Sequence, residues 1–439
     1  MIKTLTSAFK NKDIRKKLLY TLMMLVVIRI GSLLPIPGVD TEYFSTLLSG
    51  FNSGDLSYLS AFTGGSFEKM SLFALSITPY ITSSIIMQLL TIAIPKLEEM
   101  QKEGEDGRKK IASITRYVTI GLSLIESIAM AVGFGRSGLI KDSAQLSTLH
   151  YVVCIIVVIA ALTAGSAVLM WLGERITEKG VGNGISIVLL INIISGMPSD
   201  FATLYSTFVA PKTPAKGVLA AVIILAILIV MVVLVCFLQD GERRIPVQYS
   251  QKVSGRRTVG GQSTNIPLKV NTAGVMPIIF ASSLMQFPVI IAQLFGKSYE
   301  WTRYLSSSYW CRVEAPKYSI GLLVYIVLLI IFAYFYTSIT FNPIEVADNL
   351  KKAGGVIPGI TPGKSTSEYL NKILNYIVFI GAVGLLIIAL IPIMCTGFFN
   401  ASVSFGGTSI IIIVGVVLET LKQIESQMCN RYYKGFLSE

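Results

Sequence analysis

Side chains that commonly carry out chemistry are few in this chain and lie far apart. Among 439 residues there is one histidine, His150, and there are five cysteines, none of them in a Cys-x-x-Cys pair. Metal centres and nucleophilic triads need several such groups brought together. We therefore expect no cofactor, no bound metal and no enzymatic activity.

Three ionisable residues lie inside apolar stretches: Arg29, Glu126 and Glu419. A charged group at membrane depth usually belongs to an ion or solute pathway. Arg29 and Glu419 are towards the ends of their stretches, where a long side chain reaches the membrane surface, so only Glu126 is near a centre. An ion-coupled transporter of small solutes usually needs more than one carboxylate near the membrane centre. A secondary transporter of this kind is the alternative function.

The composition is that of a membrane protein. Hydrophobic residues make up 53% of the chain and charged residues 14%, whereas a soluble domain is about 25% charged. The mean hydropathy is +0.67. The formal net charge of +12 is typical of a membrane protein whose cytoplasmic loops are rich in Lys and Arg.

Ten apolar stretches are long enough to cross, as helices, a hydrocarbon core about 30 Å thick. The sequence therefore predicts an all-α polytopic membrane protein with ten transmembrane helices. The predicted spans are Leu18–Leu34, Met70–Ile94, Ser113–Phe134, Thr148–Leu172, Gly184–Tyr205, Val218–Leu238, Thr272–Phe295, Ile320–Thr340, Lys372–Ile391 and Gly407–Ile424.

The charge distribution predicts the orientation. Ten spans place both termini on one side, and with the flanking helix ends included, 27 of the 37 Lys and Arg residues fall on that side and nine on the other. Basic residues concentrate on the cytoplasmic side of membrane proteins. Both termini are therefore expected in the cytoplasm, with residues 1–17 forming an amphipathic surface helix that leads into the first span.

The segment Asp55–Phe67, between the first two spans, is mildly apolar and too short to cross the bilayer. Irregular backbone is stable at membrane depth only where protein or water surrounds it. A re-entrant segment that lines a cavity and an ordinary outer loop are both compatible with this composition.

Two spans combine proline with polar side chains. The second has Pro79 and the seventh has Pro277 and Pro288. Such residues either serve helix packing or form a seam that opens. The polar residues in question are Thr78, Thr82, Ser83, Ser84 and Gln88 in the second span, and Ser282, Ser283 and Gln286 in the seventh.

Two loops carry both basic residues and signals of ordered structure. Alternation around Ser254-Gly255 predicts a hairpin, with Arg256 and Arg257 at the tip and Arg243 and Arg244 at the base. These loops either only set the membrane orientation or form a docking surface for an anionic cytoplasmic partner.

The second of these loops follows the eighth span. Asn342-Pro343 predicts the start of a short helix over Ile344–Ala353, stopped by Gly354-Gly355. Further along, Ser365 and Glu368 match a capping box before the ninth span.

Seven motifs, in order and at the matching spans, resemble those of the SecY family of bacteria, whose members form the large subunit of the Sec translocon. The resemblance covers essentially the whole chain, and the Gln262-Ser-Thr stretch favours the bacterial over the archaeal form. The motifs are Ile36-Pro-Gly38, Ala74–Leu90, Glu103–Lys110, Trp171–Ser186, Gly261–Asn271, Phe341-Asn-Pro343 with Ala347–Lys352, and Phe405–Ser409.

The resemblance implies two pseudo-symmetric five-helix halves arranged as a clamshell, residues 18–205 and 206–425. The cytoplasmic loops would then be 239–271 and 341–371 and the cytoplasmic tail 426–439. Such a channel in the bacterial cytoplasmic membrane translocates unfolded polypeptides and releases transmembrane segments sideways into lipid.

Three groups of site residues follow from the resemblance. The pore ring would be Ile81, Ile85, Ile185, Leu189, Met276, Ile279 and Ile412. The plug would be the segment 55–67, with Leu56, Leu59, Phe62, Gly64, Gly65 and Phe67. The lateral gate would separate spans two and three from spans seven and eight, with Ser83, Ser84, Gln88, Ser283 and Gln286.

The resemblance also implies partners. These are small membrane subunits similar to SecE and SecG, a motor ATPase of the SecA type, the ribosome, signal peptides, unfolded polypeptides and membrane lipid. The motor or the ribosome would dock on Arg243, Arg244, Arg256, Arg257, Lys351, Lys352 and Lys364. One departure from the family concerns this surface, since relatives usually have arginine where this chain has Thr361.

Overall fold

The computed structural model is mostly helical. It describes residues 9–50, 63–135, 140, 147–210, 214–249, 252–254, 257–259, 263–294, 300–306, 309–311, 316–399 and 407–434. Each of the ten predicted spans overlaps a helix. Among the described residues, six helical segments are long and apolar enough to cross a membrane, and a seventh candidate is a pair of helices bent by 105°.

The helices and strands are numbered here in chain order. The helices are α1 Lys12–Leu33, α2 Thr41–Gly50, α3 Thr78–Ala93, α4 Pro95–Lys102, α5 Glu105–Gly135, α6 Thr148–Lys179, α7 Gly184–Leu204, α8 Pro214–Asp240, α9 Met276–Leu294, α10 Glu300–Leu305, α11 Ile320–Thr340, α12 Pro343–Lys352, α13 Lys364–Phe399 and α14 Gly407–Lys434. The strands are β1 Glu242–Tyr249, β2 Lys252–Ser254, β3 Arg257–Val259, β4 Ser263–Lys269 and β5 Gly355–Val356.

The ends of two predicted elements differ from the structure. Residues 1–8 of the predicted surface helix lie outside the described residues, and from Lys12 onwards this segment is continuous with α1. The second span was predicted from Met70, but α3 begins only at Thr78. The residues between them form turns, because Met70 and Ser76 have positive φ values of 40° and 54° that a helix does not accommodate.

The turns before α3 are fully built into the protein interior. The carbonyl of Met70 accepts a hydrogen bond from Ile36 N–H (3.1 Å), and Leu72 N–H donates to the carbonyl of Leu34 (2.9 Å). Phe73 is buried. Irregular backbone is stable here because the chain after α1 supplies its hydrogen bonds.

The main helix contacts fall into two groups. In the first, α3 contacts α5, α5 contacts α6, and α6 contacts both α1 and α7. In the second, α14 contacts α8 and α13, and α11 contacts α9 and α13. Contacts of α7 with α14 and of α5 with α9 connect the two groups.

A small sheet joins two loops that the sequence predicts separately. The strand order is β4-β1-β5, with Arg243 opposite Leu268 and Gln248 opposite Val356. Beyond it, β2 and β3 pair antiparallel with Ser254 opposite Arg257, so the predicted hairpin is confirmed. Gly355, predicted only to stop a helix, is the first residue of β5.

The unit made of β1, β4, β5, α12 and the start of α13 is called the platform below. Its apolar core contains Val247, Leu268 and Leu370, which are 0%, 3% and 0% exposed. Asn342 caps α12 as predicted, since its side-chain oxygen accepts from Ile344 N–H (3.1 Å). The capping box predicted at Ser365 is wrong, because α13 already begins at Lys364.

Close packing of α6 depends on a residue without a side chain. A Cβ atom added to Gly165 would collide with the backbone carbonyl of Leu72, in the turns before α3. Small residues allow such close approach between membrane helices and their neighbours.

We expect Gly165→Ala to destabilise the fold by about 1–3 kcal/mol, because the added methyl group overpacks this contact. The measurement is the thermal unfolding midpoint of the detergent-solubilised protein. Gly121→Ala in α5 is the matched control, since a Cβ there meets no atom within 4 Å. Equal midpoints for the two variants would contradict this account of the packing.

Candidate functional site

All seven predicted ring residues line one cavity of about 520 Å³. They come from four helices: Ile81 and Ile85 from α3, Ile185 and Leu189 from α7, Met276 and Ile279 from α9, and Ile412 from α14. The same seven residues belong to one apolar cluster, in which Leu189, Ile279 and Ile412 are buried and the other four are partly buried. They are called the ring below.

Local features of each helix determine where its ring residues lie. In α3, Ile81 and Ile85 are four residues apart and share one helix face. In α7, the Asn183 side chain caps the helix by accepting from Ile185 N–H (3.1 Å). A Cβ at Gly184 would collide with the carbonyl of Gly173 in α6, so this glycine lets α7 start close to its neighbour.

The other two helices contribute two buried ring residues and the partly buried Met276. Ile279 is 7% exposed and Ile412 is 1% exposed. Helix α9 begins directly at Met276, and the carbonyl of Val275 accepts from Ile279 N–H (3.3 Å) to close its first turn. The ring therefore combines side chains at helix starts with side chains from helix interiors.

Next to the ring the cavity has a polar end. The residues that define this polar mouth are Gln239, Lys269, Asn271, Thr340, Glu419 and Lys422. Lys422 pairs with Asp240 through a 2.8 Å contact between α14 and α8. The cavity lining thus combines charged and hydrogen-bonding side chains with the aliphatic ring.

Several lining residues were not among the predicted ring residues. Tyr80, Phe280 and Tyr336 line the cavity as well. Phe280 of α9 packs edge-on against Phe332 and Tyr336 of α11, with ring centroids 5.8 and 6.1 Å apart. Tyr80 and Phe280 are the sequence neighbours of ring residues, which is the one signal that pointed to them.

The predicted gate residues lie in different environments. Ser84 and Gln88 line the cavity. Ser83 is fully buried, and its hydroxyl donates to the carbonyl of Pro79 in its own helix (2.6 Å). Ser283 is half-buried in α9, and the side chain of Gln286 is outside the described part of the structure.

The predicted plug segment is described only from residue 63 onwards, so Leu56, Leu59 and Phe62 lie outside the described residues. Gly64 and Gly65 have positive φ values of 63° and 78°. Phe67 does not line the cavity.

Phe67 belongs instead to a separate apolar cluster with Phe44 and Phe134, whose ring centroids are 5.9 and 6.4 Å from its own. The end of the segment is thereby anchored beside the cavity rather than inside it.

Arg29 has protein partners, contrary to the prediction that it reaches the membrane surface. Its Nη1 donates to Ser195 Oγ of α7 (2.9 Å) and to the carbonyl of Gly64 (3.4 Å). Ser195 Oγ also lies 3.3 Å from the Gly64 carbonyl. Arg29 therefore ties α1 and α7 to the segment that precedes α3.

The predicted docking residues lie on or beside the platform. Arg243 and Arg244 are exposed on β1, and Lys351, Lys352 and Lys364 are exposed at α12 and α13. Arg257 starts β3, and Arg256 lies outside the described residues. Pairing of β5 with β1 joins the two loops, so the exposed members of this set lie in one folded unit.

The fold is that of known membrane channels. It is similar to a solved structure titled as a protein conducting channel, with a TM-score of 0.61, 18% identity, and coverage of 94% of this chain and 92% of that one. It is also similar to Sec61 in a canine ribosome-channel complex, with a TM-score of 0.57, 18% identity and the same coverage.

Sequence comparison gives the family. The SecY family model matches residues 71–421. The protein translocase subunit SecY of Streptomyces galbus is 43% identical over 451 residues, and that of Bacillus subtilis is 40% identical over 444 residues, each with 100% of both chains covered. The chain belongs to the SecY family. These relatives are named as protein translocase subunits.

Replacing Arg29 by Gln is expected to loosen the segment before α3, because hydrogen bonds to a charged group contribute about 1.5–3 kcal/mol. Backbone amides of residues 64–72 should then exchange with solvent deuterium about tenfold faster. Mass spectrometry of the detergent-solubilised protein measures this exchange.

Arg175→Gln is the matched control, since Arg175 pairs with Glu178 of its own helix (2.9 Å) and links no second element by that contact. Unchanged exchange in residues 64–72 of the Arg29 variant would show that its hydrogen bonds do not hold this segment.

Proposed function

We propose that this chain forms the pore of a protein-conducting channel that moves unfolded polypeptides across the bacterial cytoplasmic membrane. The observation that carries the proposal is the convergence of the seven ring residues from four helices on one cavity. Membership of the SecY family, whose members here are named translocase subunits, supports the same function.

The ring has the chemistry of a seal that blocks ions but lets a polypeptide pass. Aliphatic side chains at a constriction offer no group that replaces the hydration shell of an ion, so ions are excluded. The same side chains lack hydrogen-bonding atoms and do not hold a passing polypeptide tightly. Met276 adds flexibility, because methionine is unbranched and adaptable.

The proposed architecture is a clamshell of ten spans, with halves 18–205 and 206–425 and both termini in the cytoplasm. The two groups of helix contacts agree with this division. In this orientation α3 ends, and α9 begins, on the cytoplasmic side, so the polar mouth faces the cytoplasm and receives the polypeptide.

The seam between α3 and α5 on one side and α9 and α11 on the other serves as the lateral gate. Helices α5 and α9 contact each other across this seam. An apolar segment that enters the seam gains burial in lipid, at about 25 cal/mol per Å². The segment 55–67 acts as a plug, and its end is held by Arg29 and Phe67.

The platform is proposed as the docking surface for a SecA-type motor or a ribosome, because its exposed arginines and lysines favour an anionic partner. The solved relative from dog is titled as part of a ribosome-channel complex. Small subunits similar to SecE and SecG complete the proposed assembly. Lipid surrounds it, and signal peptides and unfolded polypeptides are its substrates.

The secondary-transporter alternative is not favoured. Glu419 lies in the polar mouth rather than at the ring, and Arg29 is engaged by Ser195. The cavity is thus narrowed by aliphatic side chains and not by carboxylates that bind a coupling ion.

Replacing Ile81, Ile185 and Ile412 together by Gly should raise the ion leak of reconstituted vesicles, because the widened ring admits hydrated ions. Dye-reported ion flux or single-channel conductance measures the leak. An increase of about tenfold or more over the unmodified channel is expected from the loss of dewetting.

The control replaces three isoleucines that face away from the interior, Ile125, Ile156 and Ile229, which are 62%, 58% and 55% exposed. It removes the same side chains from helices without touching the ring. A leak of similar size in both variants would mean that the ring does not form the seal.

Reversing Arg243 and Arg244 to Glu should weaken docking of the motor ATPase several-fold and reduce the dependence of its affinity on salt, because both arginines are exposed charges screened by ions. Binding is measured on proteoliposomes at two ionic strengths. Lys109→Glu with Lys110→Glu, which makes the same charge change on exposed residues away from the platform, is the control. If the affinity of the motor ATPase changes neither with the charge reversal nor with ionic strength, Arg243 and Arg244 do not take part in docking.

A further inference from the structure

Two polar side chains of the cavity each have a buried atom that makes no hydrogen bond within the described residues. Gln88 Oε1 and Asn271 Nδ2 are each buried and have no hydrogen-bond partner among the described residues. Both side chains line the cavity. Asn271 as a whole is 6% exposed. A buried polar atom without a partner is unfavourable, so a group that enters this cavity and reaches these atoms would gain a hydrogen bond.

Two other polar residues of the same cavity bond within the protein. The Asn183 side-chain oxygen accepts from Ile185 N–H (3.1 Å). The Thr340 hydroxyl donates to the carbonyl of Tyr336 (2.8 Å). Among the buried side-chain polar atoms of the described lining residues, those without a partner are one acceptor, Gln88 Oε1, and one donor, Asn271 Nδ2.

Both residues lie next to the ring, on the side of the polar mouth. Gln88 follows Ile81 and Ile85 on one face of α3, at a spacing of four and then three residues. Asn271 stands in the turn that leads to Met276, the first residue of α9. A chain that passes from the mouth into the ring meets both residues immediately before the constriction.

A polypeptide in transit offers varied side chains but a constant backbone. Each residue other than proline carries one N–H donor and one C=O acceptor. An acceptor and a donor in the same cavity match these two groups whatever the sequence. Aliphatic ring side chains make no such hydrogen bonds.

We propose that Gln88 and Asn271 form a subsite for the backbone of the polypeptide in transit, in which Gln88 Oε1 accepts from a substrate N–H and Asn271 Nδ2 donates to a substrate C=O. The inference rests on the proposed function of the chain as a polypeptide channel. The subsite keeps the substrate backbone hydrogen-bonded as it leaves water and enters the dry ring.

The test uses a precursor fused to a tightly folded domain, which stalls in channels reconstituted with their partner subunits and motor. The rate at which the stalled precursor slides back out is measured. Loss of one neutral hydrogen bond should speed this release about fivefold, so Gln88→Leu and Asn271→Leu are each expected to do so.

Asn271→Asp is a second variant of nearly the same shape, which replaces the donor by an acceptor and should also speed release. Gln239→Leu is the control, since Gln239 lines the polar mouth but has no buried atom without a partner among the described residues.

A substrate with single ester bonds in place of amides, placed in turn along the stalled stretch, tests the backbone directly. An ester lacks the N–H donor. At one position it should speed release about fivefold from the unmodified channel, and cause no additional effect in Gln88→Leu.

Release rates that stay unchanged in Gln88→Leu and in both Asn271 variants would overturn the subsite. So would equal acceleration by Gln239→Leu, or an ester effect of full size in Gln88→Leu. If instead no precursor enters the unmodified channel, the proposed function fails and not only this inference.

Discussion

The structure depends on dry contact between aliphatic side chains that different helices bring to one place. The ring is built at the crossing of α3, α7, α9 and α14, so its width is set by how closely those helices approach. Gly184 carries no side chain against Gly173 of α6, so α7 starts close to α6, and this contact helps to set where α7 presents Ile185 and Leu189. The proposed seal and the proposed lateral gate both depend on this packing arrangement, in which apolar contact joins the two helix groups.

Several polar groups around the ring have hydrogen-bond partners within the protein. Arg29 binds Ser195 and the carbonyl of Gly64, and the turns before α3 take their hydrogen bonds from the chain after α1. Irregular backbone at membrane depth needs such support. In the platform, too, backbone polar groups are paired, since β5 forms hydrogen bonds with part of the edge of β1. Val247 of β1 is fully buried there.

Much of this organisation follows from the sequence, and the exceptions have physical reasons. Hydropathy locates the helices, and family motifs give the ring. Hydropathy does not distinguish a helix from buried turns, so α3 was predicted to begin at Met70. Nor does local pattern detect contacts between distant residues: Arg29 meets Ser195 across 166 positions. The strand β5 has only two residues, which is too short to show the alternation of polar and apolar residues that predicts a strand. The pairing that joins the two loops was therefore not predicted.

The chemical uniformity of the ring has a thermal consequence. Association of aliphatic groups in water is driven mainly by entropy near room temperature and weakens on cooling, with a characteristic heat-capacity change. A closure made of Ile, Leu and Met side chains without hydrogen bonds across it follows this law, whereas a gate latched by ion pairs does not. The proposed seal is therefore expected to loosen on cooling, because its closure depends on the same aliphatic side chains that would let polypeptides pass.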